Sequence, residues 1–181
     1  MNLHIELDKS HPAYAWLEKQ ADKIGAGGHF GTHIDCYTSV PGKNEFNLPV
    51  YILDCRHGMP AIEEASMLPS LHNKALILYT GNLYKNDYGS KAYFNEIDTS
   101  VQKEVLLRIL EKSPQLILID SYGIGKHGQE HMDLDKTCEA KGCYVIENIR
   151  IIPEDIHKIQ TVHVKFDLEY PSTGKPCTVT Y

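Results

Sequence analysis

The sequence predicts an α/β fold built on a mixed sheet, and three observations carry that expectation. Short, wholly apolar runs such as Leu116-Ile117-Leu118-Ile119 read as strands covered on both faces. Segments with apolar residues on one helical face alternate with them through the middle of the chain. Near the end, Val162, Val164, Phe166, Leu168 and Tyr170 alternate with His163, Lys165, Asp167 and Glu169, the pattern of a strand with one wet face. There is no internal repeat, low-complexity tract or linker, so the 181 residues are read as one domain, 1–181.

Taken in order, Ser10 is suited to cap a helix with Pro12 in its first turn, running through Trp16 and Leu17 to about Ile24, where Gly25 stops it. Gly25-Ala26-Gly27-Gly28 then forms a flexible approach to the next segment. Leu48 to Asp54 and Ala75 to Tyr79 read as buried strands, and the polar, aromatic stretch Tyr84 to Asn95 as a loop. Asp98, Thr99 or Ser100 is placed to cap a helix whose Val101, Val105, Leu106, Ile109 and Leu110 share a face, ended by Pro114. After the strand at Leu116, a helix is expected from Glu130 to Lys141 with Gly142 as its stop, then a strand from Cys143 to Glu147.

Composition narrows the function. Hydrophobic residues at 42% and charged residues at 23% support a packed core rather than disorder. The net charge of -6, with Lys and Arg scattered, argues against nucleic acid as the partner. The first nine residues lack the cationic start and apolar run of a signal peptide, and no apolar stretch approaches the roughly 20 residues that span a bilayer. The five cysteines include no CxxC pair and read as reduced thiols, so the expected location is cytoplasmic and no membrane partner is expected.

Among ten histidines, two stand together in His29-Phe30-Gly31-Thr32-His33-Ile34-Asp35. Imidazole and carboxylate are the common protein ligands for zinc and manganese. His33 and Asp35, two apart, face the same way on an extended segment. A turn at Gly31 would return His29 to the same ion, because glycine accepts backbone angles that other residues avoid. Three such ligands leave coordination positions open for water, whose pKa a metal lowers toward about 7. The alternative is three ordinary polar loop residues. Two histidines and an aspartate within one glycine-flanked run weigh toward the metal.

The run resembles the signature HxGTHxDxPxH of the cyclase family of metal-dependent hydrolases, which includes kynurenine formamidase (arylformamidase) and isatin hydrolase. Further segments are similar to the family's landmarks in the same order: Ala75 to Gly81, Leu116 to Ser121, Val145-Ile146-Glu147-Asn148 and the tail Gly174 to Val179. The resemblance implies a swivelling β/β/α domain, in homodimers or homotetramers. It implies one or two divalent ions, zinc or manganese, on His29, His33 and Asp35 with Glu147 joining, and Asp35 and Glu147 bridging to a second metal. The implied reaction is hydrolysis of a small amide, formamide or lactam by metal-bound hydroxide, so the expected partner is a small-molecule substrate. Phe30 and Tyr37 are candidates to line a pocket for an aromatic substrate, or are packing residues.

Two positions depart from the family pattern. The signature's proline and final histidine fall on Tyr37 and Ser39, and that histidine is the family's general acid/base. A serine hydroxyl is too weak a base for that task unaided. If it is truly lost, the chain is a metal-binding member of the family without hydrolase activity. Twelve residues before Glu147, where the family has a histidine for the second metal, stands Asp135, either a ligand that shifts preference toward manganese or a solvated helix residue. His131 lies one turn earlier as a possible substitute. His127, in a glycine-rich loop after a strand, is the better candidate for a replacement base; His57 is the other.

One motif points elsewhere. Gly123-Ile124-Gly125-Lys126-His127-Gly128 matches G-x-G-x-x-G between a strand and a helix, and Glu147 falls near the place of a ribose-binding acid. A dinucleotide-binding protein using Gly123, Gly125 and Gly128 is therefore a competing expectation. Only 34 residues follow Glu147, too few for the remaining βα units, which favours reading the stretch as a loop beside the site.

Overall fold

The computed structural model describes residues 1–5, 7–12, 14, 15, 18, 19 and 27–181. The helix expected from Ser10 to Ile24 and its stop at Gly25 fall largely outside the described residues. The rest is an α/β fold with a mixed sheet of seven strands closed into a barrel and helices on its outside.

The strands are β1 His33–Asp35, β2 Glu45–Asp54, β3 Ala75–Tyr79, β4 Leu116–Ile119, β5 Tyr144–Glu147, β6 Thr161–Phe166 and β7 Gly174–Thr180. Their order around the barrel is β1-β5-β4-β3-β2-β6-β7. Strands β2 to β5 run parallel, whereas β1, β6 and β7 pair antiparallel with their neighbours. Helix α1 (Ile62–Met67) joins β2 to β3. Helices α2 (Asn82–Lys85), α3 (Lys91–Asn95) and α4 (Lys103–Glu111) lie between β3 and β4, and α5 (Gln129–Glu139) between β4 and β5. A 3₁₀ helix, Pro153–Lys158, precedes β6.

Side-chain alternation along the strands separates two cores. Ile34, Ile77, Leu118, Ile146, Val164 and Val179 fill the barrel interior. Leu76, Leu78, Ile117, Ile119 and Val145 point outward, against Leu106 and Ile109 of α4 and Leu134 and Cys138 of α5. This is why Leu116–Ile119 is apolar throughout: both of its faces are covered. All five cysteines are buried and free. Among the described residues, no helix is long and apolar enough to cross a membrane.

Three segments differ from their sequence expectation. Tyr84 to Asn95 is not one loop but carries α2 and α3. The Ser90 hydroxyl accepts from Tyr93 N at 3.1 Å and starts α3, and Tyr93 is fully buried, so aromatic packing sustains structure that a polar composition conceals. Helix α4 begins at Lys103 rather than beside Asp98, because Val101 N donates to Ile124 O and the Asp98 carboxylate closes a local turn on Ser100 N. The final alternating strand stops at Phe166, and β7 follows despite Gly174 and Pro176.

Candidate metal centre

The site lies outside the barrel, where β1 and β5 meet α5. Ile34 points inward, so His33 and Asp35 on either side of it point outward; Ile146 points inward, so Glu147 points outward. The antiparallel register sets His33 opposite Glu147. On α5, His131 and Asp135 are four residues apart and share a face. Gly31, with φ of +61°, makes the turn that returns His29 to His33 and Asp35.

The polar atoms converge. His29 Nδ1 lies 3.2 Å from His33 Nε2 and 3.3 Å from Asp35 Oδ1, and His33 Nε2 lies 3.7 Å from that oxygen. Glu147 links the two halves: its Oε2 is 3.5 Å from His33 Nε2 and its Oε1 is 3.1 Å from His131 Nε2. His131 Nε2 is also 3.1 Å from Asp135 Oδ2. Two groups of potential ligand atoms result, His29/His33/Asp35 and Asp35/His131/Asp135/Glu147, with Asp35 common to both.

These residues fit a bound cation. Asp35 and Asp135 are each 1% exposed and Glu147 4%. Both oxygens of Asp35, both of Asp135 and Oε1 of Glu147 accept no hydrogen bond. Burying ionised carboxylates without donors costs several kcal/mol each, which a coordinated divalent ion offsets. The histidines of the first group are held neutral. Gly31 O, 3.0 Å from His33 Nδ1, can only accept, so that nitrogen carries the proton and Nε2 is left as a donor atom for metal. Thr173 Oγ1 lies 2.9 Å from His29 Nε2, on the side of the ring away from His33. Burial, then the neighbouring His33, pushes His29 down to about 3, and burial lowers His33 as well.

The second half holds protons instead. Burial raises Asp135 to about 8. Burial disfavours a charged His131, but Glu147 and Asp135 outweigh it and raise His131 to about 9. Burial together with Glu147 and Asp135 holds Asp35 well above the carboxylate range. A metal bound here displaces these protons, so affinity is expected to rise with pH through about 8 to 9. Calorimetric titrations with zinc at pH 7, in buffers of different ionisation enthalpy, should show release of about one proton or more per ion. Heats independent of the buffer would contradict the coupling.

Further hydrogen bonds hold the cluster in place. Asn148, at φ +60°, donates from Nδ2 to Gly31 O at 2.9 Å and accepts from the buried Tyr93 hydroxyl. Thr32 Oγ1 donates to Asn148 O at 2.7 Å, and Gly31 N donates to the Tyr88 hydroxyl at 3.1 Å. The Glu139 carboxylate, one turn past Asp135, accepts from the amides of Tyr37, Thr38 and Ser39 and clasps the turn after β1 to α5.

The structure thus brings His29, His33, Asp35, Asp135 and Glu147 together, and adds His131 as a full member beside Asp135 rather than in its place. Asp135 is a buried member of the cluster, not a solvated helix residue. Ser39 is elsewhere: it is exposed, and its hydroxyl lies 3.0 Å from that of Tyr144. His127 is exposed, stacked on Tyr122 at 4.9 Å between ring centroids and 6.3 Å from the His131 ring. The Tyr37 ring sits 6.1 Å from that of His29, and Phe30 packs edge-on against Tyr14 at 5.9 Å. The residues missed from sequence are Asn148, Tyr93, Tyr88, Thr173 and Glu139. The i, i+4 spacing of His131 and Asp135 on an expected helix was the one available signal for His131 as a partner of Asp135.

The glycine motif belongs to this centre. A Cβ on Gly123, at φ +112°, would lie 2.3 Å from both Glu147 Oε1 and His131 Cε1, and one on Gly125 would lie 2.9 Å from Leu134 Cδ1 and 3.0 Å from His131 Cα. These glycines make room for His131 and Glu147. Gly128 caps α5 with open space around it. Glu147, the residue in the place of a ribose-binding acid, is enclosed in the cluster, so the motif offers no dinucleotide cradle.

No protein-family model matches the sequence, and no curated protein matches it. Solved structures do match the fold. A potential metal-dependent hydrolase with cyclase activity superposes with a TM-score of 0.67 at 17% identity, over 99% of this chain and 94% of that one. An isatin hydrolase bound to the product analogue thioisatinate gives 0.61 at 13% identity, over 85% and 72%. A structure described as a novel cyclase gives 0.61 at 12% identity, over 99% and 86%. The chain therefore has the fold of the cyclase-type metal-dependent hydrolases.

Proposed function

We propose that this protein is a metal-dependent hydrolase of a small amide, formamide or lactam. The observation that carries the reading is the convergence of two neutral imidazoles and three buried carboxylates, five of whose six oxygens accept no hydrogen bond, at one place on this fold. A divalent ion held there lowers the pKa of water to about 7 and polarises a carbonyl oxygen. His29, His33 and Asp35 hold one position, and Asp35, Glu147, His131 and Asp135 the other. Tyr37 and Phe30 flank the His29 side and suit a planar or aromatic substituent on the substrate. His127, exposed at the edge of the cluster with its ring 6.3 Å from that of His131, is our candidate to carry a proton to a leaving group.

A second reading has its own observation. The Ser39 hydroxyl faces Tyr144, away from the cluster, so nothing replaces the acid/base at that place in the signature. On this reading the protein binds metal without hydrolysing amides. Assaying formamides, lactams and isatin-like substrates with the zinc- and manganese-loaded protein separates the two. The first reading predicts turnover that chelation abolishes and His127→Ala reduces by about 10²-fold or more. Full metal occupancy with no turnover of any of these substrates would overturn it in favour of the second.

A further inference from the structure

The two halves of the centre differ in kind. One offers two imidazole nitrogens and one carboxylate, from His29, His33 and Asp35; the other offers three carboxylates and one imidazole, from Asp35, Asp135, Glu147 and His131. Imidazole-rich sets suit zinc, whereas carboxylate-rich sets suit harder ions such as manganese(II). From this juxtaposition we infer that the centre is built for two unlike ions, a zinc-type ion on the His29 side and a manganese-type ion on the Asp135 side. The inference rests on the metal-centre reading above.

Charge supports the second ion. Asp35, Asp135 and Glu147 together carry three negative charges when ionised, and among the described residues only histidines pair with them. The Glu139 carboxylate, whose oxygens accept from the amides of Tyr37, Thr38 and Ser39, stands beside the set and adds negative charge near Asp35 and Asp135. Asp135 is the residue that makes the halves unlike: it is buried, its Oδ2 lies 3.1 Å from His131 Nε2, and it adds a carboxylate beside that imidazole at the second position.

Zinc binds a given nitrogen and oxygen set more tightly than manganese. The difference between the positions therefore shows when zinc is limiting. The metal-free full chain is supplied with one equivalent of zinc and excess manganese(II), desalted, and examined by elemental analysis and by electron paramagnetic resonance of bound manganese. About one zinc and one manganese per chain are expected. Asp135→Asn should keep the zinc and weaken manganese at least about tenfold. Asp135→His, which restores a nitrogen ligand, should make manganese displaceable by a second equivalent of zinc at about tenfold lower concentration than in the wild type. Circular dichroism confirms that each variant folds.

Zinc retained without manganese, or manganese retained equally in wild type and Asp135→Asn, would overturn the mixed centre alone. A chain that retains neither ion would overturn the metal-centre reading, and this inference with it.

Discussion

Replacing Asp35 with asparagine is expected to empty both halves of the centre. Asp35 is the residue common to the two groups of potential ligand atoms, and its oxygens accept no hydrogen bond. Asparagine keeps the shape but not the charge, so affinity at each position should fall at least about 100-fold, and further than removal of an outer-shell partner would cause. Stability supplies a second readout. A metal at 100 times its dissociation constant stabilises the wild-type fold by about 2.7 kcal/mol, which in a chain of this size is roughly 5–10 °C in melting temperature. Asp35→Asn should lose that shift. Its metal-free form should melt no lower than metal-free wild type, because a buried group without donors has exchanged an ionisable carboxyl for a neutral amide. A lower metal-free melting temperature with an intact metal-induced shift would mean that Asp35 is structural and not a ligand.

Gly123→Ala is expected to be almost as damaging, by a different route. The new methyl would lie 2.3 Å from Glu147 Oε1 and His131 Cε1, neither of which can retreat inside a buried cluster. The backbone at φ +112° adds strain for any side chain, about 1–3 kcal/mol. Gly128→Ala separates the two effects, since Gly128 shares a positive φ of +104° but has nothing within 4 Å of its would-be Cβ. Gly128→Ala should lower stability and keep its metal, whereas Gly123→Ala should lower both. Thermal unfolding with and without chelator, together with metal content, checks this. Equal metal binding by the two variants would show that Gly123 does not shape the centre.

The contrast between these glycines also shows what a sequence conveys. As a string, Gly123 and Gly125 fit a phosphate-binding loop. Only the packing of α5 on β5 reveals that their missing side chains accommodate His131 and Glu147. The extended core of the signature was legible because His33, Ile34 and Asp35 obey the strand period: an apolar residue inward and two candidate ligands outward. The strands Ala75–Tyr79 and Leu116–Ile119 were legible for a related reason, being apolar without interruption. His131 was harder to place. Its position relative to Asp135 follows from the helical period, but its reach to Glu147 depends on how the helix sits on the sheet. Asn148 and Tyr93 were not legible at all, since a hydroxyl and an amide 55 residues apart meet only once α3 is packed. Ser39 shows the converse. Its alignment with a catalytic position is a matter of sequence, yet Glu139 draws the turn containing it onto α5 and its hydroxyl turns to Tyr144.

The central claim is that the side chains around Asp35 form a metal centre. Elemental analysis of protein purified without chelator tests it most directly, paired with thermal unfolding in added zinc or manganese. One to two equivalents of divalent transition metal per chain are expected, lost on chelation and restored with a rise in melting temperature. Metal content near zero, with no stabilisation by either ion, would contradict it.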